Sequence, residues 1–202
     1  KFLPRSELLD FDELTRLVQI FKDRGVTKIR LTGGEPLLRK NIEHLIENIA
    51  ALGGLDIALT TNGSLLAKKA RSLRNAGLER VTVSLDAIDE PTFQKMNDAE
   101  FPVSDVLEGI DAAAAAGLAP IKINMVVKRG LNEHSILPMA EHFRGTGHIL
   151  RFIEFMDVGS TNGWRMDDVI SSGEIVERIG AVHPLEQAEP HYNGEVAERW
   201  RY

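Results

Sequence analysis

The feature that most constrains this chain is a regular alternation of short β-rich runs with longer runs of helical period. Strand-like runs begin at residues 28, 57, 80, 121 and 149, and extend to 32, 61, 85, 127 and 155. A strand, its crossover helix and the next parallel strand need roughly 30 residues. The rhythm therefore predicts repeated parallel βαβ units, an α/β fold with parallel strands and outer helices.

The intervening helices carry their own signals. Asp10 with Glu13 makes a capping box ahead of an apolar face of Leu14, Leu17, Val18 and Phe21. Ile42, Leu45, Ile46 and Ile49 form a second face, and Leu66, Ala70 and Leu73 a third. Val103, Val106, Leu107 and Ile110 lead into five alanines at 112–116, expected to pack closely on a strand. Ile136, Met139, Ala140 and Phe143 follow, and Ser171 with Glu174 caps a last helix bearing Ile175 and Ile179. Glycines at 25, 53, 77 and 117 suit the helix stops. From Ala181 onward no complete periodic element is read. The expected organisation is a core over 1–180 and the start of a C-terminal extension over 181–202.

Period-two alternation divides each strand into two faces. One face is apolar throughout, as in Ile57 and Leu59 or Ile123 and Met125. The opposite face carries Arg30, Thr60, Ser84, Lys122, Asn124 and Arg151. A closed eight-stranded barrel fills its interior with branched apolar residues, and a doubly wound sheet is apolar on both faces. A polar inner face fits neither. It predicts a wide or open barrel whose interior is a ligand chamber. Burying three cations without partners costs several kcal/mol each, so inward Arg30, Lys122 and Arg151 in a chain of net charge −6 imply an anionic ligand. The same negative balance argues against non-specific nucleic-acid binding. No apolar run approaches the roughly 18 residues of a membrane span, and no leader-like segment is read, so a cytoplasmic protein is expected. Cysteine is absent, which excludes a disulfide scaffold, a cysteine nucleophile and thiolate-ligated metal built from these 202 residues.

The motifs gather at the carboxyl ends of the strands, where βα folds bind ligands. Thr32-Gly33-Gly34-Glu35-Pro36 ends the first, with a glycine pair that lets backbone approach a ligand and a carboxylate that can accept from an ammonium group. Thr60-Thr61-Asn62-Gly63 ends the second and Ser84-Leu85-Asp86 the third. Lys122 shares a face with Asn124; it is either an anion clamp or a Schiff-base lysine. Asp86 and Asp89 are expected in a solvated turn. The six histidines show no metal-ligand spacing, and no nucleophile elbow or phosphate-binding lysine loop occurs.

The runs Arg30-Leu31-Thr32-Gly33-Gly34-Glu35-Pro36-Leu37-Leu38-Arg39, Leu59-Thr60-Thr61-Asn62-Gly63, Val83-Ser84-Leu85-Asp86 and Arg151-Phe152-Ile153-Glu154-Phe155-Met156 resemble radical S-adenosylmethionine (SAM) enzymes. More narrowly they resemble the GTP 3′,8-cyclase family of molybdenum cofactor biosynthesis. The resemblance implies a partial (βα)6 TIM-type barrel, with the family's first strand ahead of Lys1. It implies reductive cleavage of SAM on a [4Fe–4S] cluster, removal of hydrogen from C3′ of GTP and closure onto C8 of guanine. Carried over by motif, Gly34 and Glu35 hold the amino group of SAM, while Ser84, Asn124, Arg151 and the Met156 backbone contact the rest. Arg30, Thr60 and Lys122 hold GTP, the two cations against its triphosphate. No general base and no metal ligand is implied among these residues; their work is positioning and shielding from water.

The family also carries two cysteine segments for two [4Fe–4S] clusters, one ahead of the region matching Lys1 and one beyond Tyr202. Their absence here leads to the expectation that both segments lie outside the chain and that these 202 residues alone are inactive. The resemblance further implies an electron donor, a homodimer and hand-over of product to cyclic pyranopterin monophosphate synthase, with no nucleic-acid or membrane partner. Two other readings stand beside it: a non-catalytic SAM- or nucleotide-binding barrel, and an aldolase-type barrel using Lys122 as a Schiff base.

Overall fold

The computed structural model describes residues 7–97, 100–158, 163–190 and 195–202. Five strands, β1 (Lys28–Leu31), β2 (Asp56–Thr61), β3 (Arg80–Ser84), β4 (Lys122–Val127) and β5 (Ile149–Glu154), form one sheet in chain order. All five run parallel, and each begins within a residue of its sequence expectation. The pairing is in register at Ile29↔Ile57, Arg30↔Ala58 and Leu31↔Leu59, then at Ala58↔Arg80 and Thr60↔Thr82. Helix α1 (Phe11–Asp23) precedes β1; α2 (Ile42–Ala51), α3 (Leu66–Asn75), α4 (Glu90–Asn97), α5 (Val103–Ala115) and α6 (Ile136–Phe143) lie in the crossovers, and α7 (Ser172–Gly180) follows β5. The chain divides into two compact units, Lys1–Leu85 with Ala99–Ile123, and Asp86–Asp98 with Asn124–Tyr202.

In the first unit the core is the sequence-expected one. Ile42, Leu45, Ile46 and Ile49 of α2, Leu66, Ala70 and Leu73 of α3, and Ile57, Leu59, Val81 and Val83 of the strands are buried. Helix α1 forms as expected: Asp10 accepts from the Glu13 N–H at 2.8 Å and Glu13 accepts from the Asp10 N–H at 2.9 Å. Its apolar face, however, is only partly covered: Leu14 and Val18 are half-buried, whereas Leu17 and Phe21 remain 40 and 55 % exposed. Amphipathic period fixes which stripe is apolar, not whether a neighbour covers it, and α1 lies ahead of β1, the sheet's edge strand.

The alanine run is a second correction. Only Ala113 is buried; Ala114 and Ala115 are exposed. The close approach falls one turn earlier, at Gly109. A Cβ there would stand 2.8 Å from the Gly63 carbonyl oxygen and 3.0 Å from Leu66 Cβ. Gly63 itself sits at φ +83°, which only a glycine adopts without strain, so α5 seats on the turn into α3 through two glycines.

In the second unit Met125, Val127, Ile136, Met139, Ala140, Phe143, Ile170, Ile175 and Ile179 are buried. Ser171 Oγ accepts from the Glu174 N–H at 3.2 Å, capping α7 as its sequence indicates. Two features differ from the sequence reading. Asp89 accepts from the Thr92 N–H at 3.0 Å at the start of α4, a short helix with only Thr92 and Phe93 buried. Beyond Ala181, β6 (Glu186–Ala188) pairs antiparallel with β7 (Arg199–Arg201), Gln187 opposite Trp200. Three-residue strands are too short to show a period. Tyr202 fixes the end by donating to the Ala140 carbonyl at 2.9 Å.

Candidate functional site

Register brings the polar residues of the first unit into rows. Arg30, Ala58 and Arg80 are aligned on neighbouring strands, with Thr60 and Thr82 one pleat further along. These residues share a parity, so their side chains leave the same sheet face. Arg30, Arg80 and Lys122 line one cleft there, with Ala58, Val81, Thr82 and Pro120 as its remaining walls. Arg30 Nη1 reaches Thr60 Oγ1 at 3.5 Å, so two of the three residues expected to hold GTP are in contact and Lys122 lines the same cleft as Arg30. Arg80 is a cation that sequence reasoning passed over. Its parity with Thr82 and Ser84 was the available signal. Arg80 Nε donates to Asp56 Oδ1 at 3.0 Å and its Nη2 to Oδ2, a two-pronged pairing.

The loop after β1 turns on Gly33, at φ +150° with open space beside its Cα. Pro36–Leu38 then make one 3-10 turn, and Glu35 accepts the Leu37 N–H at 3.0 Å. The same carboxylate crosses to the end of β2. Glu35 Oε1 accepts from Thr61 Oγ1 at 2.8 Å and Oε2 from the Asn62 N–H at 2.7 Å. Thr61, only 2 % exposed, also accepts the Gly63 N–H at 3.0 Å. Asn62 Oδ1 accepts from the N–H and hydroxyl of Ser64 at 3.1 and 2.8 Å. Ser84, half-buried, ends β3 in this unit.

The second unit holds the other expected residues. Asn124 lies on β4; its Oδ1 is buried and accepts no hydrogen bond. Arg151 is half-buried on β5, and Met156 is 54 % exposed just beyond it. The expectation of a solvated turn at Asp86 is overturned. Asp86 is 8 % exposed and accepts the Val126 N–H at 2.7 Å. Burial pushes its carboxyl up to about 6, against the opposing pull of that hydrogen bond. Asn132, fully buried, completes the arrangement. Its Nδ2 donates to the Asp86 and Val126 carbonyls at 2.9 and 2.8 Å, and its Oδ1 accepts the Lys128 N–H at 2.8 Å. An Asp in a turn reads alike in sequence whether wet or dry; the buried Asn 46 residues away decides it.

The residues present fit SAM. Asn124 offers a buried acceptor lacking a donor, a costly state in a closed protein. Gly33 leaves the first loop open for backbone approach. A cluster is another matter: the sequence has no cysteine, so none of its residues supplies a thiolate. Among the described residues no group of three or more His, Asp or Glu could hold a metal ion. No helix among them is long and apolar enough to cross a membrane.

The chain is 54 % identical to a GTP 3′,8-cyclase of Acidothermus cellulolyticus over 202 residues, 100 % of this chain and 56 % of that protein. It is 55 % identical over 195 residues to one from Xanthomonas axonopodis pv. citri, 96 % of this chain and 58 % of that protein. A Staphylococcus saprophyticus GTP 3′,8-cyclase is 46 % identical over 202 residues, 59 % of its length. The chain thus spans 56 to 59 % of these relatives. Among solved structures, methylornithine synthase (PylB) matches with a TM-score of 0.65 at 16 % identity, over 87 % of this chain and 53 % of that one. HydG, a maturase of the [FeFe]-hydrogenase, matches with a TM-score of 0.63 at 15 % identity, over 86 and 42 %. At such identities the likeness speaks for the fold alone, the partial TIM-type α/β barrel. Residues 1–143 match the Radical SAM superfamily, and with the parallel sheet, the glycine turn and the orphaned Asn124 acceptor in view, the chain belongs to that superfamily.

Proposed function

We propose that this chain is the central part of a GTP 3′,8-cyclase, which closes ribose C3′ of GTP onto C8 of guanine during molybdenum cofactor biosynthesis. The observation that supports this reading most is the cleft shared by Arg30 and Lys122, with Thr60 in contact with Arg30, in a chain 54 % identical to a protein of that name. The cations meet the triphosphate with charge-assisted hydrogen bonds, and Thr60 supplies a hydroxyl beside Arg30. Gly34, Glu35 and Ser84 of the first unit, and Asn124, Arg151 and the Met156 backbone of the second, serve SAM. Glu35 takes its ammonium group and Asn124 Oδ1 accepts one of its donors.

Bound SAM, with a [4Fe–4S] cluster ligated outside these 202 residues, supplies the radical chemistry. The chain's own groups hold two substrates at a fixed geometry, so that a bimolecular encounter becomes an internal one, and they exclude water. The reading extends to a second [4Fe–4S] cluster, an electron donor, a homodimer, a cytoplasmic setting, a C-terminal extension from residue 181 and a downstream cyclic pyranopterin monophosphate synthase.

The test is the fate of the C3′ hydrogen. Cluster-loaded protein containing this chain, given SAM, a reductant and GTP deuterated at C3′, is expected to remove that label and to leave ATP intact. Binding of both ligands with full retention of the label would reduce the chain to a binding barrel. Borohydride trapping of a carbonyl compound on Lys122 would replace the clamp with aldolase chemistry.

A further inference from the structure

We propose that Thr61 is a positioning residue: it aims the Glu35 carboxylate at the ammonium group of SAM. This rests on the reading of Glu35 as a SAM contact given above. A carboxylate offers about four acceptor positions. Three are filled within the protein: Oε1 by the Leu37 N–H and the Thr61 hydroxyl, Oε2 by the Asn62 N–H. One position remains, on Oε2, and the three occupied ones fix its direction. Glu35 therefore presents a single aimed acceptor rather than a freely rotating charge.

Of the three donors, Leu37 N–H belongs to Glu35's own turn, only two residues on. The other two come from the end of β2, 26 and 27 residues away. They tie the glycine loop to the sheet. Thr61 is the one side chain among them, and its hydroxyl is committed at both ends. It donates to Glu35 and accepts from the Gly63 N–H, in a position 2 % exposed. Gly63 in turn is held by its left-handed φ of +83° and by Val106, whose Cγ1 leaves no room for a Cβ. The Thr61 hydroxyl thus links Glu35 to the helix seat at Gly63, beside the backbone tie from the Asn62 N–H. Thr60, its neighbour, leaves the opposite sheet face and contacts Arg30. Two consecutive threonines divide the labour, the first on the GTP side and the second behind the SAM loop.

The test is a double-mutant cycle in SAM affinity, measured by equilibrium binding on the full protein with its cluster in place, with GTP affinity as the control. A hydrogen bond to a charged group inside a protein is worth about tenfold or more in binding. Thr61→Val is expected to weaken SAM about tenfold and GTP less than about twofold. Thr61→Ser, which keeps the hydroxyl, is expected to stay within about twofold of wild type for both. In a Glu35→Gln background Thr61→Val should cost less than about twofold, because the residue it acts through is already lost. Equal loss in both backgrounds, or no loss in either, overturns the proposal. So does a Thr61→Ser variant as weak as Thr61→Val. Should Thr61→Val not fold, Thr61→Ala fills the same corner of the cycle. Wild-type protein that binds no SAM overturns the functional reading and this proposal with it; wild-type binding indifferent to Thr61 overturns this proposal alone.

Discussion

Replacing Asp86 with asparagine should change the pH dependence of stability, with the variant gaining on the wild type as pH rises to neutrality. Asp86 is 8 % exposed, and burial raises its carboxyl from 3.8 to about 6, although the Val126 N–H pulls the other way. A folded-state pKa above the unfolded one means that the native protein binds the proton more tightly. The associated stability is complete below about pH 4, declines as pH rises toward 6, and is gone above it. A shift of about two units corresponds to about 3 kcal/mol. Asp86→Asn removes that titration while its amide oxygen can still accept the Val126 N–H. Any fixed cost of the introduced NH2 is the same at every pH. The difference in unfolding free energy between variant and wild type should therefore move by about 2 kcal/mol in the variant's favour between pH 4 and pH 7. Urea unfolding at unit pH steps reads this directly, and a carboxyl NMR titration should place the native midpoint near 6. Parallel pH curves for the two proteins would refute the reasoning.

Other perturbations separate the packed parts from the bare ones. Gly109→Ala should destabilise by about 1–3 kcal/mol in thermal melts, because the added methyl meets the Gly63 carbonyl at 2.8 Å; helix propensity alone would favour alanine by about 1 kcal/mol. Asn132→Leu removes partners from the Lys128 N–H and the Asp86 and Val126 carbonyls, and a loss of more than about 3 kcal/mol is expected in denaturant unfolding. Phe21→Ser on the 55 % exposed face of α1 should stay within about 0.5 kcal/mol of wild type, whereas fully buried Ile46→Ala should cost about 2–5 kcal/mol.

The strands and most helix cores were legible because their signals are periodic. Ile57 and Leu59 alternate with Ala58 and Thr60, and Ile42, Leu45, Ile46 and Ile49 recur at helical spacing. Parity alone put Arg30 and Thr60 on one sheet face, where they touch, but it did not report that Arg30 stands exposed rather than buried. Properties that need a second segment were not legible. The stripe on α1 looked like core, but nothing in its own residues reports whether a neighbour covers it. Asp86 looked like a wet turn because its drying agent, Asn132, lies far along the chain. Glu35 was read as a charge, whereas its direction depends on Thr61 and Asn62, which the β1–β2 pairing brings to it. The alanine run drew attention from Gly109, whose importance lies in a missing atom.

The central proposal is that the sheet face bearing Arg30 and Lys122 holds the triphosphate of GTP. It is tested most directly by titration calorimetry of Lys122→Ala and Arg30→Ala in the full protein, with GTP and SAM as separate ligands. Each substitution removes a charge-assisted contact, so GTP should bind about tenfold more weakly or worse, with SAM nearly unaffected. Equal loss of both ligands, or undiminished GTP binding, would contradict the account.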